Sequence, residues 1–236
     1  MINLFGFQNE SQRRKINLKS DINPATIHIF HFRFSLPYIK NKKILDVGCW
    51  TGLFDKLAVK YAKHITGLDP SKQAISLAKK QIPQGTFLVG TAEKLPFPKH
   101  TFDTVCYFQV MEHLPKNTEV ESLQEIYRVL KPKGRLLLSI PDQNILSIIF
   151  DPAFFLLGHR HYSVSQIEDF FSKSGFKLES YRVRGGFLEA GIADLLLLLK
   201  HSVKIQPQMP DTLKKIILKE YEYPGFYCLY IVARKI

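Results

Sequence analysis

The segment Lys43 to Asp55, K-I-L-D-V-G-C-W-T-G-L-F-D, constrains the chain more than any other stretch. Ile44, Leu45 and Val47 make a short apolar run suited to a strand buried on both faces. Asp46 closes that run, and a turn containing Gly48 and Gly52 follows. Leu53 to Ala62 then spaces Leu53, Leu57, Ala58 and Tyr61 like one face of a helix. Strand, glycine turn, helix is how a doubly wound sheet builds a ligand site at a helix N-terminus. Glycine is needed there where φ is positive or where a ligand must touch the main chain. A nicotinamide site would show G-x-G-x-x-G, whereas this turn shows Gly48-x-x-x-Gly52 with Trp50 in between. Taken alone, the stretch also fits an ordinary strand-to-helix turn with no ligand.

Further strands and helices follow in alternation. His64 to Asp69 reads as a second strand, and Ser71 is a good N-cap for a helix through Lys80. Asp69 stands about twenty positions beyond the glycine turn, where an acidic side chain can accept from ribose hydroxyls. A capping aspartate without a ligand is the alternative. Thr86 to Val89 and Phe102 to Phe108 are the third and fourth strands. Asn117 or Thr118 caps a helix that buries Val120, Leu123, Ile126, Tyr127 and Leu130, and Arg135 to Ile140 is the fifth strand.

Four motifs lie along this order. Asp46, Gly48 and Gly52 match D-x-G-x-G-x-G, with Trp50 in place of the middle glycine. Gly90 to Phe97 is similar to G-D-A-x-x-L-P-F, with Thr91 where aspartate is frequent. F-D-x-V at Phe102 to Val105 leads into Glu112-His113-Leu114, and Leu130 to Pro141 reads L-K-P-x-G-x-L-x-x-S-x-P. The ordered set resembles the class I S-adenosylmethionine-dependent methyltransferases, of the small-molecule or lipid type.

The resemblance implies an α/β fold: a doubly wound, Rossmann-like sheet of seven strands, the last antiparallel, with a helical cap and insertions. It implies S-adenosyl-L-methionine as cofactor, leaving as S-adenosyl-L-homocysteine. Asp46, Gly48, Cys49, Trp50 and Gly52 would lie at its methionine end, and Asp69 with Pro70 at the ribose. Thr91, Ala92 and Glu93 would surround the adenine, with Gln109 and His113 near the reactive group. A neutral hydroxyl acceptor needs a base, for which His113 and then His161 are candidates. His159, His161 and Tyr162, just before a helix, are substrate-side candidates, with a structural role as the alternative.

The remaining segments surround that core. One domain over 1–236 is expected, with 1–40 a helical lead-in and 142–162 and 185–222 as cap or insertion segments. Residues 1 to 23 are polar and basic; Pro24 suits a helix start, and that helix should stop near Pro37. His28 and His31 read as packing or surface histidines rather than a metal pair, and no metal is expected. Asn144 to Leu157 is apolar and aromatic. Ser163-x-x-Gln166 and Ser165-x-x-Glu168 are overlapping capping boxes opening a helix that ends near Gly175. Phe176 to Val183 is the sixth strand and Phe226 to Ala233 the last. Between them, Leu195 to Leu199 is a leucine run and Leu213 to Tyr221 an amphipathic basic segment.

Cys49, Cys106 and Cys228 are an odd, scattered set that suits free thiols in a reducing compartment. No charged start with a long apolar core marks a signal peptide, and Glu189 and Asp194 interrupt the most apolar window. A cytoplasmic location is expected, with peripheral contact at the inner face of a membrane open to the apolar insertions. A lid over a greasy acceptor, a cap packed on itself, or a dimer interface is the alternative use of those insertions. The net charge of +12 suits nucleic acid, an anionic membrane or acidic substrates alike. No basic run interleaved with aromatics marks a nucleic-acid groove. N-P-P-Y, D-P-P-Y and Pro-Cys are absent after the fourth strand, which disfavours base methylation. The expected activity is methyl transfer by direct displacement to a small or lipid-linked acceptor. The alternatives are a non-catalytic S-adenosylmethionine-binding protein and an RNA methyltransferase.

Overall fold

Strand alternation sorts the apolar side chains of this chain onto two faces of one sheet. The computed structural model describes residues 26–151, 154, 158–198 and 210–236, without the side chains of 193–198. Its strands are β1 Lys43–Val47, β2 His64–Asp69, β3 Thr86–Val89, β4 Phe102–Phe108, β5 Leu130–Pro141, β6 Phe176–Arg184 and β7 Cys228–Lys235. They lie in the order β3-β2-β1-β4-β5-β7-β6. β1 to β5 are mutually parallel, and β7 runs antiparallel between β5 and β6. The sheet therefore reverses its strand order between β1 and β4, where doubly wound folds open their crevice.

The helices are α1 Thr26–Ile39, α2 Leu53–Ala58, α3 Lys72–Gln81, α4 Glu119–Val129, α5 Ile145–Ile149, α6 Val164–Ser174, α7 Phe187–Leu198 and α8 Asp211–Glu220. On one face Leu45, Val105, Tyr107, Leu136, Leu138 and Ile231 pack with Leu123 and Ile126 of α4 and Ile167 and Phe171 of α6. On the other, Ile44, Cys106, Phe108, Leu137 and Val232 pack with Ile39 of α1 and Phe54 and Ala58 of α2. Successive strand residues point to opposite faces, so runs such as Leu136-Leu137-Leu138 are apolar throughout because both sides are covered.

Helix ends follow the local chemistry with three departures. Ser71 Oγ accepts from the N–H of Ala74, as its capping role requires. Of the two overlapping boxes only the first is used: Ser163 Oγ accepts from Gln166 N–H, and Gln166 Oε1 accepts from Ser163 N–H. α1 does not stop at Pro37 but continues to Ile39. Proline two residues from the end removes one late hydrogen bond, so its cost is smaller than in mid-helix. α2 ends at Ala58, because Lys63 N–H and His64 N–H turn to Lys42 O to begin β2. Tyr61, expected on the buried face, is 43% exposed. Thr118 occupies the N-cap of α4, yet its hydroxyl donates to Pro115 O and caps no helical N–H.

His31 is a packed histidine: buried, stacked on Phe108 with centroids 4.4 Å apart, and within 3.1 Å of Ser139 Oγ. α5 falls inside 142–162, and α7 and α8 inside 185–222. Residues 1–23 and Leu199, for which expectations were stated, lie outside the described residues. Among the described residues no helix is long and apolar enough to cross a membrane.

Candidate active site

The turn after β1 is tied to β2 at three points. Gly48 N–H and Cys49 N–H both donate to Leu68 O, at 2.7 and 3.0 Å, and Trp50 N–H donates to Asp69 Oδ2 at 3.0 Å. Asp69 Oδ1 accepts from Ser71 N–H at 2.8 Å, so this carboxylate also closes the turn into α3. Gly48 has φ +79, and a Cβ there would land on the Val110 side chain. The main chain is therefore bare where the cleft begins.

A cleft of about 390 Å³ opens above this turn, at the carboxyl ends of β1, β2 and β4. Gly48, Trp50, Asp69, Pro70, Thr91 and Ala92 line it, with Glu93, Gln109 and His113 further round. Each of these was singled out in the sequence. Val47, Leu68, Gly90, Val110, Leu114 and Pro115 also line it and were not expected as site residues. Most are apolar residues at strand ends or in the turn after β4, which carry no chemical signal of their own.

Three expected residues lie beneath the cleft instead. Strand alternation turns Asp46 away from Leu45 and Val47 toward the α2 face. Cys49 is buried against Ile75, Ala78 and Phe87, and Gly52 sits at the N-cap of α2, close against Ala78 of α3 and Ile82 just beyond its end. Burial and the neighbouring Asp55 push the Asp46 carboxyl well above the usual range, and burial takes Asp55 to about 7.

The opposite wall is pinned to α4. Leu95 N–H donates to Glu125 Oε2, and Arg128 donates to Leu95 O and Phe97 O. Gln109 adopts φ +54, and its amide donates to Ser139 Oγ at 3.2 Å. His113 ends a single 3₁₀ turn, Met111–His113. Arg160 fastens that turn, donating to Met111 O and Leu114 O at 2.9 and 2.7 Å and pairing with Glu119.

His159 packs against His113, while His161 and Tyr162 are buried off the cleft wall. Tyr162 OH donates to Glu119 Oε1 at 3.1 Å, and His161 Nε2 lies 2.9 Å from Asp151 Oδ2. Both therefore act as supports. Asp151 and Arg160 escaped the sequence reading, because Arg160 finds its partners at the 111–114 turn and Glu119, and Asp151 meets His159 and His161 only once the 158–162 loop folds back on it.

Among the described residues the wall holds two carboxylates, Asp69 and Glu93, and no lysine or arginine. A polyphosphate would meet repulsion there, whereas a nucleoside carrying positive charge would not. Bare main chain, hydroxyl acceptors and an acidic rim fit S-adenosylmethionine.

Strand order, antiparallel β7 and this cleft define the class I S-adenosylmethionine-dependent methyltransferase fold. Residues 45–138 match the family model described as a methyltransferase domain. A Mycolicibacterium smegmatis protein described as "Probable S-adenosylmethionine-dependent methyltransferase" is 29% identical over 65% of this chain and 58% of its own length. The demethylmenaquinone methyltransferase of Thermotoga maritima is 32% identical over 57% of this chain and 51% of its own. The chain thus spans about half the length of the curated relatives it matches. Among solved structures, the [4+2]-cyclase SpnF shares the fold with a TM-score of 0.66 at 21% identity, covering 88% of this chain and 81% of that one.

Proposed function

We propose that the protein moves a methyl group from S-adenosylmethionine to a small or lipid-linked acceptor by direct displacement. The acidic cleft wall, free of lysine and arginine among the described residues, is the observation that carries this reading. Asp69, with Pro70 beside it, takes the ribose; Thr91, Ala92 and Glu93 take the adenine; Gly48, Trp50 and Gln109 face the methionine end. Asp46, Cys49 and Gly52 shape the turn from below.

The cofactor supplies a methyl group on a cationic sulfur that is already a good leaving group. The chain's task is to align the acceptor and exclude water, which needs no covalent nucleophile. His113, exposed at the end of the cleft, serves as the base when the acceptor is a neutral hydroxyl. Ile145, Ile149 and Phe187 are 73%, 58% and 59% exposed, which supports a lipid-linked acceptor reached at a membrane surface.

Trp50 supports a second reading, a protein that binds the cofactor without transferring its methyl group. It has φ +49 where the motif places glycine. Calorimetry with S-adenosylmethionine, followed by an assay for S-adenosylhomocysteine with a lipid extract, separates the two. Binding with turnover supports the first reading and binding without turnover the second; absence of binding sinks both.

A further inference from the structure

A concentration of positive charge lies away from the cleft. Lys63 N–H and His64 N–H donate to Lys42 O, and Asn41 N–H donates to Tyr61 O at 2.9 Å. Lys43 and His64 pair where β1 and β2 begin. Two segments distant in sequence, 40–43 and 60–64, thus form one knot at the amino ends of the strands, whereas the cleft opens at their carboxyl ends. Neither segment is a long basic run on its own; folding assembles the surface.

Lys40, Lys42, Lys43, Lys60 and Lys63 are exposed there, and among the described residues none of the five is in an ion pair. The acidic side chain beside them is already engaged. Asp103 accepts from Lys43 N–H at 2.8 Å and from Lys131 Nζ at 2.7 Å, with the Lys42 charge nearby. Lys131 and exposed Lys133 carry the band on to the start of β5. β2, β1, β4 and β5 are consecutive in the sheet, so the band crosses three strand spacings, about 14 Å. Tyr61 sits within it, 43% exposed, its ring tilted on Phe32 with centroids 5.3 Å apart.

Ammonium groups held close together repel one another, and they gain most from a partner that carries repeated negative charge. An anionic membrane and a nucleic-acid strand both offer that. A peripheral membrane contact also uses exposed aliphatic side chains, and Ile145 and Ile149 of this chain follow the carboxyl end of β5, at the cleft end of the sheet. Among the five lysines the exposed large side chain is an aromatic ring instead. A single strand needs that combination: ammonium groups for its phosphates and an open ring for a base. The lysines lie on strand ends and turns rather than along a helix that could enter a duplex groove.

We propose that this knot is a binding surface for single-stranded nucleic acid, with its five lysines on successive phosphates and the Tyr61 ring under one base. At about 3.4 Å per stacked nucleotide, the band holds about four. A strand bound here lies at the end of the sheet opposite the cleft, so it is a partner and not the methyl acceptor. The inference therefore stands apart from the methyltransferase reading.

The test uses the full chain and a fluorescein-labelled oligouridine about 12 nucleotides long, followed by anisotropy in about 50 to 200 mM potassium chloride. Affinity should fall with salt on a log–log slope of about −2 to −3, as three or four phosphate contacts require. Lys42→Gln and Lys63→Gln together should weaken binding and flatten the slope by about 1.4, since each contact accounts for about 0.7. Tyr61→Ala should weaken binding about 5- to 100-fold, and Tyr61→Phe should restore it. Lys72→Gln removes an exposed charge at the start of α3, at the cleft end, and should bind like wild type. Should circular dichroism show that Tyr61→Ala does not fold, the lysine pair decides. Absence of binding at about 50 mM salt, an unchanged slope in the lysine pair, or an equal loss in Lys72→Gln overturns the proposal. A folded Tyr61→Ala that binds like wild type overturns it too; sedimentation with phosphatidylglycerol vesicles would then assign the surface to an anionic membrane.

Discussion

The main-chain N–H of Trp50 donates to the carboxylate of Asp69, so the last residue of β2 holds the turn that follows β1. The same carboxylate accepts from Ser71 N–H, and it still faces the cleft. One side chain therefore sets the turn geometry and still lines the cleft.

Asp69→Ala removes both acceptors together with any contact to ribose hydroxyls. Leaving two main-chain donors without their partner should lower stability by about 1–3 kcal/mol, read from chemical denaturation. S-adenosylmethionine affinity, measured by calorimetry, should fall about 10- to 100-fold. Unchanged affinity in a folded variant would reject the ribose assignment.

Gly48 and Trp50 should respond in opposite ways. Gly48→Ala drives a Cβ into Val110 at φ +79, and should cost about 1–3 kcal/mol while narrowing the cleft. Trp50→Gly relieves a left-handed residue that costs about 1–2 kcal/mol and bares the main chain. Cofactor affinity should then rise. A fall would mean that the indole itself forms part of the binding wall.

Arg160 links the 158–162 loop to the turn carrying His113. Its guanidinium and the Glu119 carboxylate are mostly buried, so removing one partner strands the other. Arg160→Leu should destabilise the protein by about 3–5 kcal/mol. Arg160→Lys should recover only part of that, because an ammonium cannot reproduce the fork that reaches Met111 O and Leu114 O together. Equal melting temperatures for Arg160→Leu and wild type would show that the clamp contributes nothing.

What could be read in the sequence was local. The strand-turn-helix order at β1 and the Ser71 cap are set by residues close along the chain, and both have the expected geometry. His161 and Tyr162 were also visible, but their role depends on Asp151 and Glu119, which the chain brings together only by folding. Arg160 gave no signal because its partners lie more than forty residues earlier. The Ser165 box failed for a simpler reason: two frames overlapped, and Ser163 with Gln166 closed the first.

Asp46 and Asp55 give the fold a pH dependence of definite sign. Both are buried on the α2 side of β1, and among the described residues neither Asp55 oxygen has a donor of its own. Two carboxylates are both acceptors, so they hydrogen-bond to each other only when one carries a proton. Burial raises Asp55 from 3.8 to about 7 and moves Asp46 the same way, with the Asp55 charge adding to the shift. The folded chain therefore keeps a proton up to about pH 7 that the unfolded chain loses above 3.8. Where the folded state binds more protons, stability falls as pH rises. This contribution is complete at the acid end and is lost on approaching pH 7, opposite to that of Asp103 and Asp151, whose carboxyls are lowered. Asp55→Asn supplies a neutral donor to Asp46 at every pH and removes the linked proton. It should melt above wild type in alkaline buffer, with the difference shrinking steadily as the pH is lowered through the acid range. A constant difference, or one that grows toward acid, would show that the pair does not share a proton.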